Sequence, residues 1–330
     1  MENINIPPLK FRPILKSAIW GGEKIAPLKG IVTDQKQIGE SWEISGVKGN
    51  ESVVENGPDA GLTLTRMIEK YGAALVGEPN FQRFGTTFPL LIKIIDAAGD
   101  LSLQVHPDDE LAMKRHNSLG KTEMWYIVDT EADAVICAGL SSPITPEEYV
   151  EKVNDNTLMD VVAHHKSKPG DVFFLPAGRI HSIGAGNLLV EVQETSDITY
   201  RIYDFGRVDA KTGKPRELHV DLAKDAIDYN VYPNYITKPQ ELGEGMSELV
   251  NCSHFSVWKL TVDGTRTFYP QLDSFSSMTC IDGHMTIEDD RGNKVEIKAG
   301  ESVLLPAMAK KYTLEGKGSL ICAVSVPKVN

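Results

Sequence analysis

Two stretches of this chain match each other: KPGDVFFLPAGRIHSI at residues 168–183 and KAGESVLLPAMAKKYTL at residues 298–314. Each has a Lys-x-Gly turn followed by Asp or Glu, a short apolar run and a Leu-Pro-Ala turn. Pro306 follows Pro176 by 130 residues. Upstream of each copy, EMWYIVDTEADAVI and SMTCIDGHMTIED align loosely. A repeat of this length and strand content indicates a duplicated all-β unit.

The remaining chain supports an all-β-dominated fold with two β-barrel (jelly-roll) units and a few short helices. Alternating apolar runs predict strands at GESWEIS, PLLIKIID, LSLQVH, EMWYIV, AVICAG, DVFFLPA, NLLVEVQ and ITYRIYD. Helices are predicted at residues 65–71, 145–153, 156–165 and 219–229. The second of these has Thr145 as its N-cap and Glu148 at the capping-box position.

The repeat and the composition divide the chain into three parts. Residues 1–205 are predicted to form the functional barrel, with a short helical insertion near 145–165. A linker with one helix spans 206–245, and residues 246–330 form a degenerate second barrel.

Composition excludes several kinds of partner. The net charge of −12 argues against nucleic acid, and an anionic ligand would need basic residues gathered locally. No apolar run is long enough to span a bilayer, and no secretory signal precedes the first strand. Four scattered cysteines, without a CxxC pair, predict reduced thiols and a cytoplasmic protein.

The predicted strand LSLQVH has one apolar and one polar face. Side chains alternate along a strand, so Ser102, Gln104 and His106 are predicted to lie opposite Leu101, Leu103 and Val105. If the polar face met solvent, this would be an ordinary half-buried strand. If it met a barrel interior, it would be a site, and Ser102 is then a candidate substrate-binding residue.

Four polar side chains of the first copy are candidate metal ligands: Gln104, His106, Glu123 and His181. Two imidazoles, a carboxylate and an amide oxygen suit a borderline divalent cation, and a His₂Glu set with an open position recurs in catalytic zinc sites. The same donors would also accept manganese or cobalt.

The second copy lacks this set. Lys311 stands where the first copy has His181, and approximately Ser277 stands opposite Glu123. We therefore predict one metal ion per chain. The remaining histidines have no comparable context and are interpreted as structural.

Several charged residues flank the candidate ligands. Lys93, Lys121, Arg201 and Arg207 could bind an anionic substrate, or could form ordinary surface ion pairs. Two carboxylates that follow His181 along the chain, Glu191 and Asp197, could act as a base or orient ligands.

The motifs together resemble the type I mannose-6-phosphate isomerases, in particular the short bacterial form with two cupin domains. The resemblance is carried by QIGESWEIS, LSLQVHPDDELA, GKTEMWYI, LPAGRIHSIGAG and EVQETSDITYRIYDFGR. It extends from about Phe11 to Arg207, and the degenerate second cupin accounts for most of the remainder.

The resemblance implies conversion of mannose 6-phosphate to fructose 6-phosphate through a cis-enediol, at one Zn²⁺ held by the four candidate ligands. It implies that Arg201 is the active-site arginine and that Lys121 lies in the site. It places four further residues along the pocket, in less defined roles: Lys93, Glu191, Asp197 and Arg207. Ile183 departs from longer relatives, which have tyrosine there.

Two other functions fit parts of the same pattern. An iron-dependent cupin dioxygenase would use a similar His/Glu pocket, although a glutamine ligand and a cationic set are not expected for oxygen activation. A non-catalytic sugar-phosphate sensor would keep the fold without turnover. In every case the partner is a small molecule, and the oligomeric state stays open between monomer and homodimer.

Overall fold

The computed structural model describes residues 4–208 and 212–325. The first half comprises β1 (Leu9–Arg12), β2 (Ile14–Gly22), α1 (Ile25–Lys29), β3 (Ile38–Ser45), β4 (Val53–Val54), α2 (Leu64–Tyr71), α3 (Ala73–Val76), α4 (Glu78–Phe84), β5 (Leu90–Ala97), β6 (Leu103–Val105), α5 (Asp109–His116), β7 (Glu123–Thr130), β8 (Val135–Leu140), α6 (Pro146–Asn154), a 3₁₀ helix (Leu158–Val161) and β9 (Val162–Lys166). The second half comprises β10 (Val172–Leu175), β11 (His181–Ile183), β12 (Asn187–Glu194), β13 (Tyr200–Tyr203), α7 (Val220–Ala226), β14 (Ile236–Thr237), β15 (Gln240–Gly243), β16 (Met246–Asn251), β17 (Ser256–Phe268), β18 (Ser276–Asp289), β19 (Lys294–Lys298), β20 (Ser302–Leu305) and β21 (Tyr312–Val324).

The strands of the described residues form three sheets. The first barrel combines a seven-stranded sheet, ordered β14-β10-β7-β12-β5-β2-β3, with a five-stranded sheet, ordered β13-β6-β11-β8-β9. The second barrel is one nine-stranded sheet, in which β15-β16-β17-β21-β18-β20-β1-β4 form a path and β19 pairs with β18. Strand accounts for 43% and helix for 16% of the structure, which confirms the all-β-dominated fold.

The two faces of the seven-stranded sheet are buried differently. Every residue of β5 and β12 is buried, although both strands contain charged side chains. Ile92 and Val192 belong to an apolar core that also contains residues of the second barrel. Ile95 and Leu189 belong to the core inside the first barrel. Because side chains alternate, Lys93 on β5 lies on the same interior face as Ile95.

Some strands pair with strands from a different one of the three predicted parts of the chain. The N-terminal β1 pairs with β20 of the second barrel, Leu9 opposite Leu304, while β14 from the linker pairs with β10 of the first barrel. The division at residues 205 and 245 stays a prediction. The outermost residues of both end parts, and 209–211 of the linker, lie outside the described residues.

One helix prediction is wrong. The segment 156–165 forms the 3₁₀ helix Leu158–Val161 and then β9, which pairs with β8. The insertion near 145–165 therefore has one α-helix, α6, which begins with the predicted capping box of Thr145 and Glu148. β-Branched residues at 161 and 162 favour the strand once an edge is available for pairing.

The turn between β10 and β11 fixes the direction of β11. Arg179 N–H donates to Pro176 O at 3.1 Å, and Gly178 N–H donates to His106 O at 2.9 Å. Gly178 has φ = +90°, and a Cβ there would lie 3.0 Å from Ala226 O. The glycine therefore permits the tight turn that brings β11 beside β6.

No helix among the described residues is both long enough and apolar enough to cross a bilayer.

Candidate active site

Three strands bring the four candidate metal ligands together inside the first barrel. His181 on β11 is directly opposite Gln104 on β6, and Glu123 begins β7. His106 follows β6 and is 1% exposed, as is His181, while Glu123 is fully buried. The polar face of the LSLQVH segment therefore meets the barrel interior.

The strand itself is shorter than predicted. β6 covers Leu103–Val105, whose two apolar side chains pack outward in a core that includes Tyr149 of α6. Leu101 precedes the strand and belongs to the interior core, so it does not share the outward face of Leu103.

The imidazole nitrogens converge on one point with Glu123. His106 Nε2 lies 3.1 Å from His181 Nε2, and His181 Nε2 lies 3.2 Å from Glu123 Oε1. His106 Nε2 is 3.5 Å from Glu123 Oε2. Gln104 Nε2 is 3.2 Å from His181 Nε2, and a half-turn of the amide would put its oxygen in the same place.

The outer nitrogen of each ring faces a backbone carbonyl. His106 Nδ1 is 2.9 Å from Ile198 O, and His181 Nδ1 is 2.8 Å from Arg179 O. A carbonyl accepts only, so each Nδ1 carries a proton and each neutral ring has its lone pair on Nε2. Two lone pairs 3.1 Å apart repel each other, and a cation with bonds of about 2.1 Å would bind both. The donor set therefore fits a divalent metal ion.

Electrostatics keep the donors in their metal-binding forms. Burial, followed by repulsion from Lys121, lowers the pKa of His106 to about 3. Burial also lowers the pKa of His181. Burial alone would raise the pKa of Glu123, but the charge of Lys121, 2.8 Å away, holds it well below its usual range. Lys121 Nζ lies 2.8 Å from Glu123 Oε2 and 3.1 Å from His106 Nε2.

A second buried charge network lies on the neighbouring strands. Lys93 on β5 is directly opposite Glu191 on β12, with Nζ 2.8 Å from Glu191 Oε1 and 3.6 Å from Glu40 Oε2. Trp125 Nε1–H donates to Glu191 Oε2 at 2.8 Å. Burial alone would lower the pKa of Lys93, but Glu191 and Glu40 raise it above its ordinary value. Lys93 is therefore a charged group that is already compensated.

A polar cavity of about 270 Å³ opens above these groups. Seven predicted site residues line it: Lys93, Ser102, Gln104, Lys121, Glu191, Asp197 and Arg201. The buried His106, Glu123 and His181 lie behind Gln104 and Lys121, which contact both the cavity and the cluster. Arg207 does not line the cavity. Its side chain binds Asp204 and the carbonyl of Asp100.

Arg201 holds a defined position at the cavity wall. It lies opposite Gln104 in the pairing of β13 with β6. Its backbone N–H donates to His219 Nδ1 at 3.1 Å, and its Nη1 donates to Glu217 O at 3.0 Å. Its Nε is buried and has no hydrogen-bond partner among the described residues. An unpartnered guanidinium N–H in a cavity is a natural donor to an anionic ligand.

Sequence reasoning missed several lining residues, including Trp20, Glu40, Trp42 and Arg216. Glu40 lies within the predicted strand GESWEIS, and no sequence pattern around it indicates that it is near a site. Burial alone would raise its pKa, but Lys93 and the Trp42 N–H lower it. Arg216 comes from the linker, where a basic residue is ordinary. Only the three-dimensional structure brings it to the cavity.

The second barrel has a cavity of different chemistry. Its volume is about 300 Å³, and its walls include Trp258, Met278 and Tyr312. In the pairing register, Ser276 is opposite Leu305 just as Glu123 is opposite Leu175. Ser276, rather than Ser277, thus takes the place of Glu123 and lines this apolar cavity.

Another group with metal-ligand chemistry, Asp109, Glu194 and His254, lies between the barrels. His254 Nδ1 is 2.8 Å from Glu194 Oε1, and Glu194 Oε2 accepts from Thr122 N–H at 2.8 Å. Asp109 accepts from Gly120 N–H at 2.8 Å. The carboxylates of Asp109 and Glu194 thus already have partners within the protein and do not need a metal ion. We therefore still interpret His254 as a structural residue.

Comparisons with known proteins agree with this architecture. A family model for the catalytic domain of type I phosphomannose isomerase matches residues 9–136, and one for the cupin domain of mannose-6-phosphate isomerase matches residues 246–325. The chain is similar to mannose-6-phosphate isomerase ManA of Bacillus subtilis, with 38% identity over 95% of this chain and 98% of that protein.

Two further relatives extend the comparison. A mannose-6-phosphate isomerase of Streptococcus mutans serotype c is 30% identical over 96% of this chain and 98% of its own length. The crystal structure of the mannose 6-phosphate isomerase from Bacillus subtilis matches with a TM-score of 0.87 and 32% identity, covering 96% of this chain and 99% of that one.

Proposed function

This chain belongs to the type I phosphomannose isomerase family, and from that premise we propose that its first barrel interconverts mannose 6-phosphate and fructose 6-phosphate. The reaction moves one proton between C2 and C1 through a cis-enediol. The observation that supports this proposal most strongly is the convergence of His106, His181 and Glu123 behind a polar cavity with several cations.

The metal ligands in this proposal are Gln104, His106, Glu123 and His181, and the ion is Zn²⁺, one per chain. When bound, such an ion would stabilise negative charge that develops on the sugar oxygens. The neutral histidines and the ionised Glu123 meet the requirement that ligands be deprotonated.

Some residues of the pocket are held by protein partners, and others are able to contact the substrate. Both oxygens of Glu191 face partners, Lys93 and Trp125, so we assign Glu191 a positioning role. Asp197 lines the cavity and forms no ion pair with a described residue, so we assign it the proton transfer between C1 and C2. Arg201 donates to the negative charge of the substrate through its free Nε–H.

Turnover and metal content test the proposal together. Purified protein loaded with Zn²⁺ should convert mannose 6-phosphate, measured by coupling fructose 6-phosphate formation to NADPH production. Elemental analysis should return one zinc per chain, and His181→Ala should lose both the ion and turnover. A stable, metal-loaded protein without turnover would favour the sugar-phosphate sensor. Iron in place of zinc, together with oxygen consumption, would favour the dioxygenase.

Asp197→Asn provides the sharper test of the proton carrier. It should retain zinc and abolish exchange of the C2 proton with solvent, which proton NMR in D₂O measures. Glu191→Gln should reduce exchange without abolishing it. If Asp197→Asn exchanges the C2 proton at the wild-type rate, the carrier is another group.

We also propose a cytoplasmic location, which the free thiols of Cys137, Cys280 and Cys322 support. Cell fractionation tests this, and light scattering decides between a monomer and a homodimer.

A further inference from the structure

The positively charged side chains around the cavity differ in whether a carboxylate lies close enough to form an ion pair with them. Lys93 has Glu191 at 2.8 Å, and Lys121 has Glu123 at 2.8 Å. Arg201 forms no ion pair with any described carboxylate, and its Nε has no partner there. The two lysines on the metal side of the cavity therefore already have counter-charges, whereas Arg201 has no ion-pair partner among the described residues.

Two arginines bind one carboxylate at the Arg201 side of the cavity, and Arg201 lies near them. Asp204 accepts from Arg216 Nε–H at 2.7 Å, again from Arg216 Nη2–H, and from Arg207 Nη2–H at 2.5 Å. Arg201 lies close enough that, after burial, the charge of Arg216 is the next largest influence lowering its pKa. Three guanidinium groups lie near the carboxylates of Asp204 and Glu217, so positive charge is in excess at this side, in a protein whose net charge is −12.

Two of the three arginines reach the cavity. Arg201 and Arg216 line it, whereas Arg207 binds the Asp100 carbonyl outside it. Crowding like charges beside one another costs free energy unless an anion is bound. Asp204 occupies Nε and Nη2 of Arg216, so a phosphate group would be bound by the remaining Nη1–H groups and the charge of Arg216, together with the free Nε–H of Arg201.

The linker backbone holds Arg216 in place. Val208 forms a bridge with Pro215, and Glu217 O accepts from Arg201 Nη1 at 3.0 Å. His219 N–H donates to Arg201 O at 2.7 Å. The segment before α7 therefore runs along β13, and Asp204 fixes the Arg216 guanidinium without covering the cavity.

We propose that Arg216 is the specificity-determining residue that, with Arg201, binds the phosphate of the sugar substrate, so that the linker completes the pocket. This inference rests on the proposed isomerase function and deepens it, because it assigns selection of phosphorylated over neutral aldoses to a residue outside the metal-binding strands. Asp204 acts as a positioning residue that keeps Arg216 extended into the cavity.

The test compares Arg216→Gln with Arg66→Gln, which removes the same charge from an exposed pair with Glu69 on α2. Arg216→Gln should lower kcat/KM for mannose 6-phosphate by about 10- to 100-fold, mainly through KM, and should raise the inhibition constant of inorganic phosphate by a similar factor. Arg216→Lys should recover part of the loss, because lysine keeps the charge but cannot form the two-bonded contact with Asp204 that positions it. Arg66→Gln should match wild type.

A lower Tm with unchanged KM and phosphate inhibition would overturn the proposal and make Arg216 purely structural. Calorimetric titration with inorganic phosphate separates this proposal from the isomerase function. If the wild type binds phosphate and Arg216→Gln does not, the anion site stands even without turnover. If turnover is normal and both proteins bind phosphate equally, the proposal on Arg216 fails while the isomerase function stands.

Discussion

Replacing Lys93 by methionine should destabilise the protein strongly, because it leaves a buried carboxylate unpaired. The side chains of Lys93 and Glu191 are 8% and 4% exposed, and Nζ lies 2.8 Å from Oε1. Among the described residues, that oxygen has no hydrogen-bond donor with suitable geometry. Methionine matches the length of lysine but provides no charge, so Glu191 would be ionised without a counter-charge or would take up a proton.

The magnitude follows from the burial of the pair and the length of the chain. Removing one partner of a buried ion pair costs about 3–5 kcal/mol. Cooperative unfolding of 330 residues at about 2.1 cal/mol/K per residue has an entropy near 0.7 kcal/mol/K, so Tm should fall by about 4–7 °C. Differential scanning calorimetry of the zinc-loaded protein measures this.

Two further variants control the measurement. Lys166→Met breaks the pair with Asp133 at the same 2.8 Å, but both side chains are more than 80% exposed, so Tm should change by about 1 °C or less. The double variant Lys93→Met/Glu191→Gln removes both buried charges and should recover at least half of the loss. If Lys93→Met has the same Tm as Lys166→Met, the charge of Lys93 does not stabilise the Glu191 carboxylate. The ammonium group of Lys93 is then available to bind substrate.

Three other perturbations follow from the same structure. Arg201→Ala should lower kcat/KM by about 100-fold or more, while zinc content and Tm stay close to wild type; loss of folding or full activity would contradict this role. Metal analysis should return one ion for wild type and none for His181→Ala; a second tightly held ion would refute the prediction of one ion per chain. The hydrogen bond that His254 donates to Glu194 raises the pKa of His254 above its ordinary value. The stability from this pair is therefore fully present below about pH 6.5 and is lost as the pH rises through the raised pKa. His254→Gln should accordingly cost more free energy of unfolding at pH 5.5 than at pH 9 in urea titrations, and equal losses would contradict the assignment.

Sequence patterns predicted the elements whose signals are local. The capping box of Thr145 and Glu148 fixed the start of α6, and the alternation around Gln104 anticipated a polar strand face inside the barrel. Helix α5 was missed although Asp108 accepts from Leu111 N–H as its N-cap, because Asp109–His116 has only one fully buried residue and little apolar periodicity.

Features that depend on distant pairing were beyond sequence reasoning. Segment 162–166 has no strand signal as strong as that of β12, and it is extended because β8 offers its edge. Arg216 has no motif around it, and only the docking of the linker along β13 brings it to Asp204. The predicted ligands share strands of one repeat, which is why their proximity could be anticipated.

The pairing of β1 with β20 has a consequence for synthesis of the chain. Leu9 leaves the ribosome 295 residues before its partner Leu304, a delay of about 15–60 s at ordinary translation rates. During that time β4 can pair with one edge of β1, but the edge that β20 later covers is exposed to the pairing that leads to aggregation. Pro7, Pro8 and Pro13 flank it and Lys10 and Arg12 lie within it, all residues that discourage intermolecular β-pairing. These residues should limit aggregation of the nascent chain until β20 has been synthesised. Chains truncated before residue 302 lack β20 and should be prone to aggregate.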